Sequence, residues 1–166
     1  MKLLYFRRLQ VVSMRWVSIQ KEDFVVQKEY EKLCSGNAQD GAIVFFVGRV
    51  RDVNEGDDVY TMTLEHYPGM TEKALHQIID RACAQWQLTR VNVVHRVGTL
   101  APSDQIVFVA VSSPHRHDSF DGAQYIMDYL KTEAPFWKKE HTDQGARWVS
   151  SRDSDSEIVK QWQSKE

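Results

Sequence analysis

The chain has 166 residues, about one domain at roughly 150 residues per domain, and 42% hydrophobic against 27% charged residues excludes disorder as its main state. A formal net charge of −2 and a pI of about 6.3 exclude a global positive field drawing it to nucleic acid or an anionic membrane, so any anion site is local. No run of about 18 uncharged apolar residues occurs, which excludes a spanning helix. The two cysteines, Cys34 and Cys83, are too few for a disulfide framework and lack the paired spacing of a zinc site. A soluble protein of the reducing cytoplasm is the expectation.

Residues 1–13 are basic (Lys2, Arg7, Arg8), but the arginines interrupt the apolar stretch before it reaches signal-peptide length. With Met14 following at once, they read as a dispensable N-terminal extension. The domain is expected over 14–153, with a tail carrying a short helix over 154–166. Residues 27–34 have helical character and stop at Ser35-Gly36, where glycine accepts a left-handed conformation. The β-branched and aromatic run 42–50 predicts a strand, 52–58 a polar turn and 59–67 a second strand ended by Pro68-Gly69.

Thr71 offers an N-cap oxygen with Glu72 in the first turn, and Ala74, Leu75, Ile78, Ile79, Ala82, Cys83 and Trp86 recur at helical spacing, which makes Cys83 a core thiol. Strands are predicted at 91–97 and 105–113, around the turn Ala101-Pro102-Ser103-Asp104. Asp118 can cap a helix through Lys131, which Pro135 ends by disfavouring helix at Ala134. Residues 136–140 and 147–149 read as extended about the turn Asp143-Gln144-Gly145, and the Asp/Ser-rich 150–156 as a solvated connector. Two central helices among hairpin-linked strands indicate an α+β domain with a mixed or antiparallel sheet, a split ferredoxin-like arrangement being one compatible form.

Cations gather at element ends: Arg49 and Arg51, then His115, Arg116 and His117, then Lys131, then Lys138 and Lys139. If these segments converge they make an anion pocket, since arginine forks pair bidentately with phosphate and lysine supplies a mobile point charge. Solvated surface charge accounts for the same spacing equally well. Phe136 and Trp137 can wall such a pocket and stack on a flat heterocycle, although core packing is the more usual role of such residues. Arg49 and Arg51 share one face of a strand by its period of two, and Ser113-Pro114-His115-Arg116 precedes a helix start that favours phosphate. Two ammonium groups brought to one site, Lys131 and Lys138, can depress one another's pKa into an acid/base range. His115 and His117 lack a Cys or carboxylate at ligand spacing, so neither a metal nor a cofactor is expected.

The motifs Leu64-Glu65-His66-Tyr67-Pro68-Gly69-Met70, His95-Arg96-Val97-Gly98, His115-Arg116, Met127-Asp128-Tyr129-Leu130-Lys131 and Ala134-Pro135-Phe136-Trp137-Lys138-Lys139-Glu140 follow one another in a specific order. Together they resemble the large, catalytic subunits of molybdopterin synthase over roughly residues 16–162. That resemblance implies an α/β-hammerhead type fold and a homodimer whose ends each bind a small ubiquitin-like sulfur-carrier subunit, making a heterotetramer. The implied reaction converts cyclic pyranopterin monophosphate to molybdopterin, forming a dithiolene with sulfur from the carrier's C-terminal Gly-Gly thiocarboxylate. A flat, anionic substrate suits cations beside aromatics, and the absence of cysteine near the basic segments requires sulfur from outside.

Matched position by position, the resemblance implies Lys131 and Lys138 as catalytic lysines. It implies Arg49, Val50, Arg51, His115, Arg116, Lys139 and Glu140 as substrate-binding residues, with Phe46 and Met127 lining the pocket. The pattern is looser at residues 1–13, His117-Asp118 and Glu133, which are assigned no chemistry. A non-catalytic module docking a ubiquitin-like tail is the alternative. A single-stranded RNA binder is disfavoured by the pI and by the lack of a basic-aromatic strand motif.

Overall fold

The computed structural model describes residues 13–149 and 153–164; residues 1–12 of the expected extension and residues 150–152 of the expected connector lie outside them. In chain order the elements are β1 (Met14–Gln20), α1 (Val26–Cys34), β2 (Ala42–Arg49), β3 (Val53–Asn54), β4 (Asp57–His66), α2 (Met70–Gln85), β5 (Arg90–Arg96), β6 (Gly98–Leu100), β7 (Gln105–Ser113), α3 (Arg116–Glu133), β8 (Phe136–Thr142), β9 (Gly145–Val149) and α4 (Asp153–Gln163). The fold is α+β, as expected, and its strands form two sheets.

The first sheet has the order β1-β5-β7-β2, with β1 parallel to β5 and the other pairs antiparallel. Its two central strands are buried on both faces. Val91, Val93, Val107, Val109 and Val111 meet the α2 and α3 stripe Leu75, Ile78, Ile79, Ala123 and Ile126 on one side. Val94, Phe108 and Ala110 meet Phe24 and Leu33 of the α1 region on the other. The parallel edge pair departs from a split ferredoxin-like sheet. Strand β1 mixes its apolar residues, Met14, Trp16, Val17 and Ile19, over both faces, of which Val17 and Ile19 pack against the main core, and it owes its conformation to pairing with β5 far along the chain.

Both central helices start differently from their sequence cues. Gly69, with φ of 82°, turns the chain into α2, and the Glu72 carboxylate accepts its N–H at 2.6 Å; Thr71 lies inside the first turn, its hydroxyl donating back to the Tyr67 carbonyl. Helix α3 begins at Arg116 after His115, so Asp118 is not its cap: the carboxylate accepts the Gln87 N–H at 3.1 Å and ties α3 to the end of α2. Ala134 is extended before Pro135, which ends α3 as predicted. Cys83 is half-buried against the main core, and burial pushes its thiol above the ordinary value. Residues 153–156, expected as connector, form the first turn of α4. Trp162 of α4 stands edge-on to Trp86 and Tyr125 and donates its indole N–H to Asp128 at 2.9 Å.

The second sheet runs β3-β4-β8-β9, with β6 also paired to β4. Opposite β8, Met62 faces Glu140 and Leu64 faces Lys138, while the intervening Thr63 faces Lys139. Alternation therefore turns Lys138 and Glu140 to one side of this sheet and Lys139 to the other.

Candidate active site

Where the two sheets and the C-terminal half of α3 meet, a cavity of about 860 Å³ opens. Its apolar wall includes Phe46, Met62, Leu64, Met127, Phe136 and Trp137, and its cations are Arg49, Arg51, Lys131 and Lys138. Glu140 and Asp155 are the lining carboxylates, leaving an excess of positive charge in a chain of net −2. Lys131 follows Met127 by one helical turn on the face of α3 turned to the cavity, and its Nζ lies 3.9 Å from Asp155 of α4. Lys138 Nζ lies 3.9 Å from Glu140. Each ammonium group thus has a carboxylate nearby, which opposes the mutual repulsion expected of two bare lysines.

The two arginines reach the cavity from the end of β2, but the strand period is not what aligns them. The ladder shifts register between Gly48 and Arg49, and the strand stops at Arg49. Between the arginines, Val50 is buried with Met62, Leu64 and Leu100; its N–H donates to Asp104 O and its carbonyl accepts from Ser103 N, each at 2.9 Å. Val50 therefore anchors the segment and does not line the cavity. Arg49 Nε donates to Ser103 O at 2.9 Å, and Arg51 Nη2 to Asn54 Oδ1 at 3.1 Å. At Gly48 a Cβ would lie 2.7 Å from Val107 Cγ1 and 3.3 Å from the Phe46 ring, so glycine is what lets Phe46 lie over β2 at the cavity wall.

Glu140 is the deepest charge of the site, only 2% exposed. Asn54 Nδ2 donates to both its oxygens, at 2.9 and 3.0 Å, and Arg147 Nη2 approaches at 3.5 Å. Arg147 also donates to Asp57 at 2.7 Å and to the Asn54 carbonyl at 3.1 Å, clamping the β3–β4 hairpin onto β8 and β9. The sequence reading missed Asn54 and Arg147. The available signal was Glu55-Gly56, both with positive φ, a pair that closes a tight hairpin where a loose polar turn was expected.

His95, also unassigned, sits at the cavity with 5% of its surface exposed. Its ring stacks on Phe136 with centroids 3.8 Å apart and planes at 15°, and Nδ1 is 2.8 Å from the Arg96 carbonyl. Burial, outweighing that hydrogen bond, lowers its pKa from 6.5 to about 4. Because the folded value is depressed, the unfolded chain binds the extra proton first as pH falls. Stability is therefore whole above about pH 6.5 and is lost toward pH 4, by about 3 kcal/mol for the full shift. Denaturant unfolding across that range should show the loss, and His95→Phe should flatten this part of the profile.

Besides Val50, three of the expected residues lie outside the cavity. His115 and Arg116 stand at the N-terminal end of α3, about fifteen positions and roughly 22 Å before Lys131 at about 1.5 Å per residue. Lys139 carries its Nζ 5.5 Å above the Trp148 ring on the other side of β8. The remaining expected cations, Phe46, Met127 and Glu140 all line the one cavity. Among the described residues no group of three His, Cys, Asp or Glu could hold a metal, and no helix is long and apolar enough to cross a membrane.

Comparison with known proteins places this architecture. The chain is 56% identical over 147 residues to the molybdopterin synthase catalytic subunit of Vibrio cholerae, covering 89% of this chain and 97% of the relative. It is 57% identical over 139 residues to that of Salmonella typhimurium, covering 84% and 92%. The solved structure of the molybdopterin biosynthesis MoaE protein from Burkholderia ambifaria superposes with a TM-score of 0.77 at 49% identity, covering 90% of this chain and 98% of that one. The family model described as MoaE protein matches residues 19–133, and the chain belongs to the MoaE family.

Proposed function

We infer that the chain is the catalytic subunit of a molybdopterin synthase, converting cyclic pyranopterin monophosphate to molybdopterin in molybdenum cofactor biosynthesis. The observation that carries the reading at the level of residues is the gathering of Arg49, Arg51, Lys131 and Lys138 in one aromatic-walled cavity. Such a site suits a flat, phosphorylated heterocycle. Neither Cys34 nor Cys83 lines it, so the sulfur comes from the thiocarboxylated C-terminus of a small ubiquitin-like carrier subunit. Both cysteines are free, which fits a cytoplasmic protein.

In this reading Arg49 and Arg51 hold the phosphate, while Lys131 and Lys138 move protons and stabilise the negative charge that develops as sulfur adds. Phe46, Met127 and Phe136 form the apolar wall. Glu140 is a buried counter-charge that orients Lys138. Val50 acts through its neighbours, and Lys139 borders the site through Trp148. His115 and Arg116, about 22 Å along α3 from Lys131, are kept as substrate-anion residues only on the strength of the family resemblance.

The test combines the purified chain, thiocarboxylated carrier and cyclic pyranopterin monophosphate, with dithiolene formation followed over time. Product is the expected result. Tight carrier binding with no product would leave a docking module and overturn the catalytic reading.

A further inference from the structure

Strand β5 presents Val91, Val93 and His95 to the same side of the first sheet, and the two valines belong to the apolar core. An imidazole at the third position of an apolar stripe costs desolvation unless its polar atoms have work to do. One has: Nδ1 lies 2.8 Å from the Arg96 carbonyl, and since a carbonyl only accepts, Nδ1 carries the proton. Nε2 is then left with a lone pair, on a ring held by the stack against Phe136 and lining the cavity.

The chemistry of the other charged and aromatic lining groups is one-sided, and beside His95 the neutral side chain with an accepting lone pair is Thr132, whose hydroxyl proton is spent on the Asp128 and Tyr129 carbonyls. Arg49, Arg51, Lys131 and Lys138 only donate. The carboxylates are engaged, Glu140 by Asn54 and Arg147, Asp155 by Lys131. The Asn54 carbonyl oxygen is taken by Arg51. A phosphorylated heterocycle rich in N–H groups needs donors at its phosphate and a neutral acceptor at its ring.

We propose that His95 is a substrate-contacting residue whose Nε2 accepts a hydrogen bond from an N–H of the heterocycle. This rests on the function inferred above and adds a specificity element to it: the cations select the phosphate and His95 selects the ring. A ring bearing only acceptors on that edge would be rejected, because it would leave two lone pairs facing each other in a buried place.

The test uses the complete system with the pterin substrate varied at saturating carrier. His95→Phe keeps the aromatic stack and removes the acceptor; KM for the pterin should rise about tenfold with kcat and melting temperature little changed. His95→Gln, which restores a polar acceptor, should recover most of the loss. A His95→Phe enzyme with KM within about twofold of wild type overturns the proposal, and so does a variant in which kcat and melting temperature fall together, the mark of a purely structural histidine. If wild type itself forms no product, the inferred function fails and this assignment with it; an active wild type matched by His95→Phe fails this assignment alone. Should His95→Phe not fold, nitrogen-15 NMR of the wild type decides: the Nε2 resonance of His95 must move when cyclic pyranopterin monophosphate is added, and an unmoved resonance overturns the proposal.

Discussion

Lys138→Ala is expected to lower dithiolene formation by about 10²–10⁴-fold at saturating carrier, the range for removing a general acid or base, while carrier affinity stays close to wild type. Lys131→Ala should fall in the same direction by less, because Lys131 is half-exposed at the cavity rim beside Asp155, whereas Lys138 stands against the buried Glu140. Single-turnover assays with carrier binding measured in parallel check both. Lys138→Arg separates the two roles open to the residue. Arginine keeps the positive charge but does not give up its proton, so it should restore activity only if Lys138 acts as a fixed charge. If it stays as impaired as Lys138→Ala, proton transfer is the role. Losses of carrier affinity that match the losses of activity would favour a docking function for both lysines.

Asn54→Asp should be the most damaging single-atom change near the site. Asn54 is 6% exposed, and the nitrogen it would lose donates to both oxygens of Glu140 while its carbonyl oxygen receives Arg51. An aspartate there sets two carboxylates about 3 Å apart in a buried place, and both do not ionise together. At pH 8 the pair should separate, releasing the β3–β4 hairpin and with it Arg51, for an activity loss of at least about tenfold and a stability cost of about 3 kcal/mol. As pH falls, one proton shared between the carboxyls replaces the lost N–H, so activity relative to wild type should rise. Asn54→Ala removes the same bonds without adding charge and should lose activity with no such pH dependence. pH–rate profiles of the two variants beside wild type decide the matter; a recovery shared by both would rule out the carboxylate pair as the cause.

Much of the scaffold is legible in local pattern. The α2 stripe of Leu75, Ile78, Ile79 and Ala82, the β-branched runs of β2, β5 and β7, and the stop imposed on α3 by Pro135 are set by residues close in sequence, so periodicity and backbone sterics suffice to read them. What escaped depends on distant partners. Strand β1 is extended because β5 pairs with it, β6 because β4 does, and α4 starts inside an Asp/Ser-rich stretch because Trp162 docks on Trp86, Tyr125 and Asp128.

The candidate site divides in the same way. The kinds of residue it needs, arginine and lysine at element ends beside aromatics, were determined by the sequence, whose spacing alone leaves an anion pocket and solvated surface charge equally open; the flat pterin substrate and the outside source of sulfur enter only through the family resemblance. Which of those residues meet was decided only by tertiary structure. The β4–β8 register sends Lys138 and Glu140 to the cavity and Lys139 away from it, the length of α3 holds His115 and Arg116 far from Lys131, and a hairpin closed at Glu55-Gly56 delivers Asn54 to Glu140. The physical reason is that side-chain type is a local property, whereas the facing of a strand and the closure of a cavity follow from pairing across the sheet, where a shift of one residue reverses every side chain.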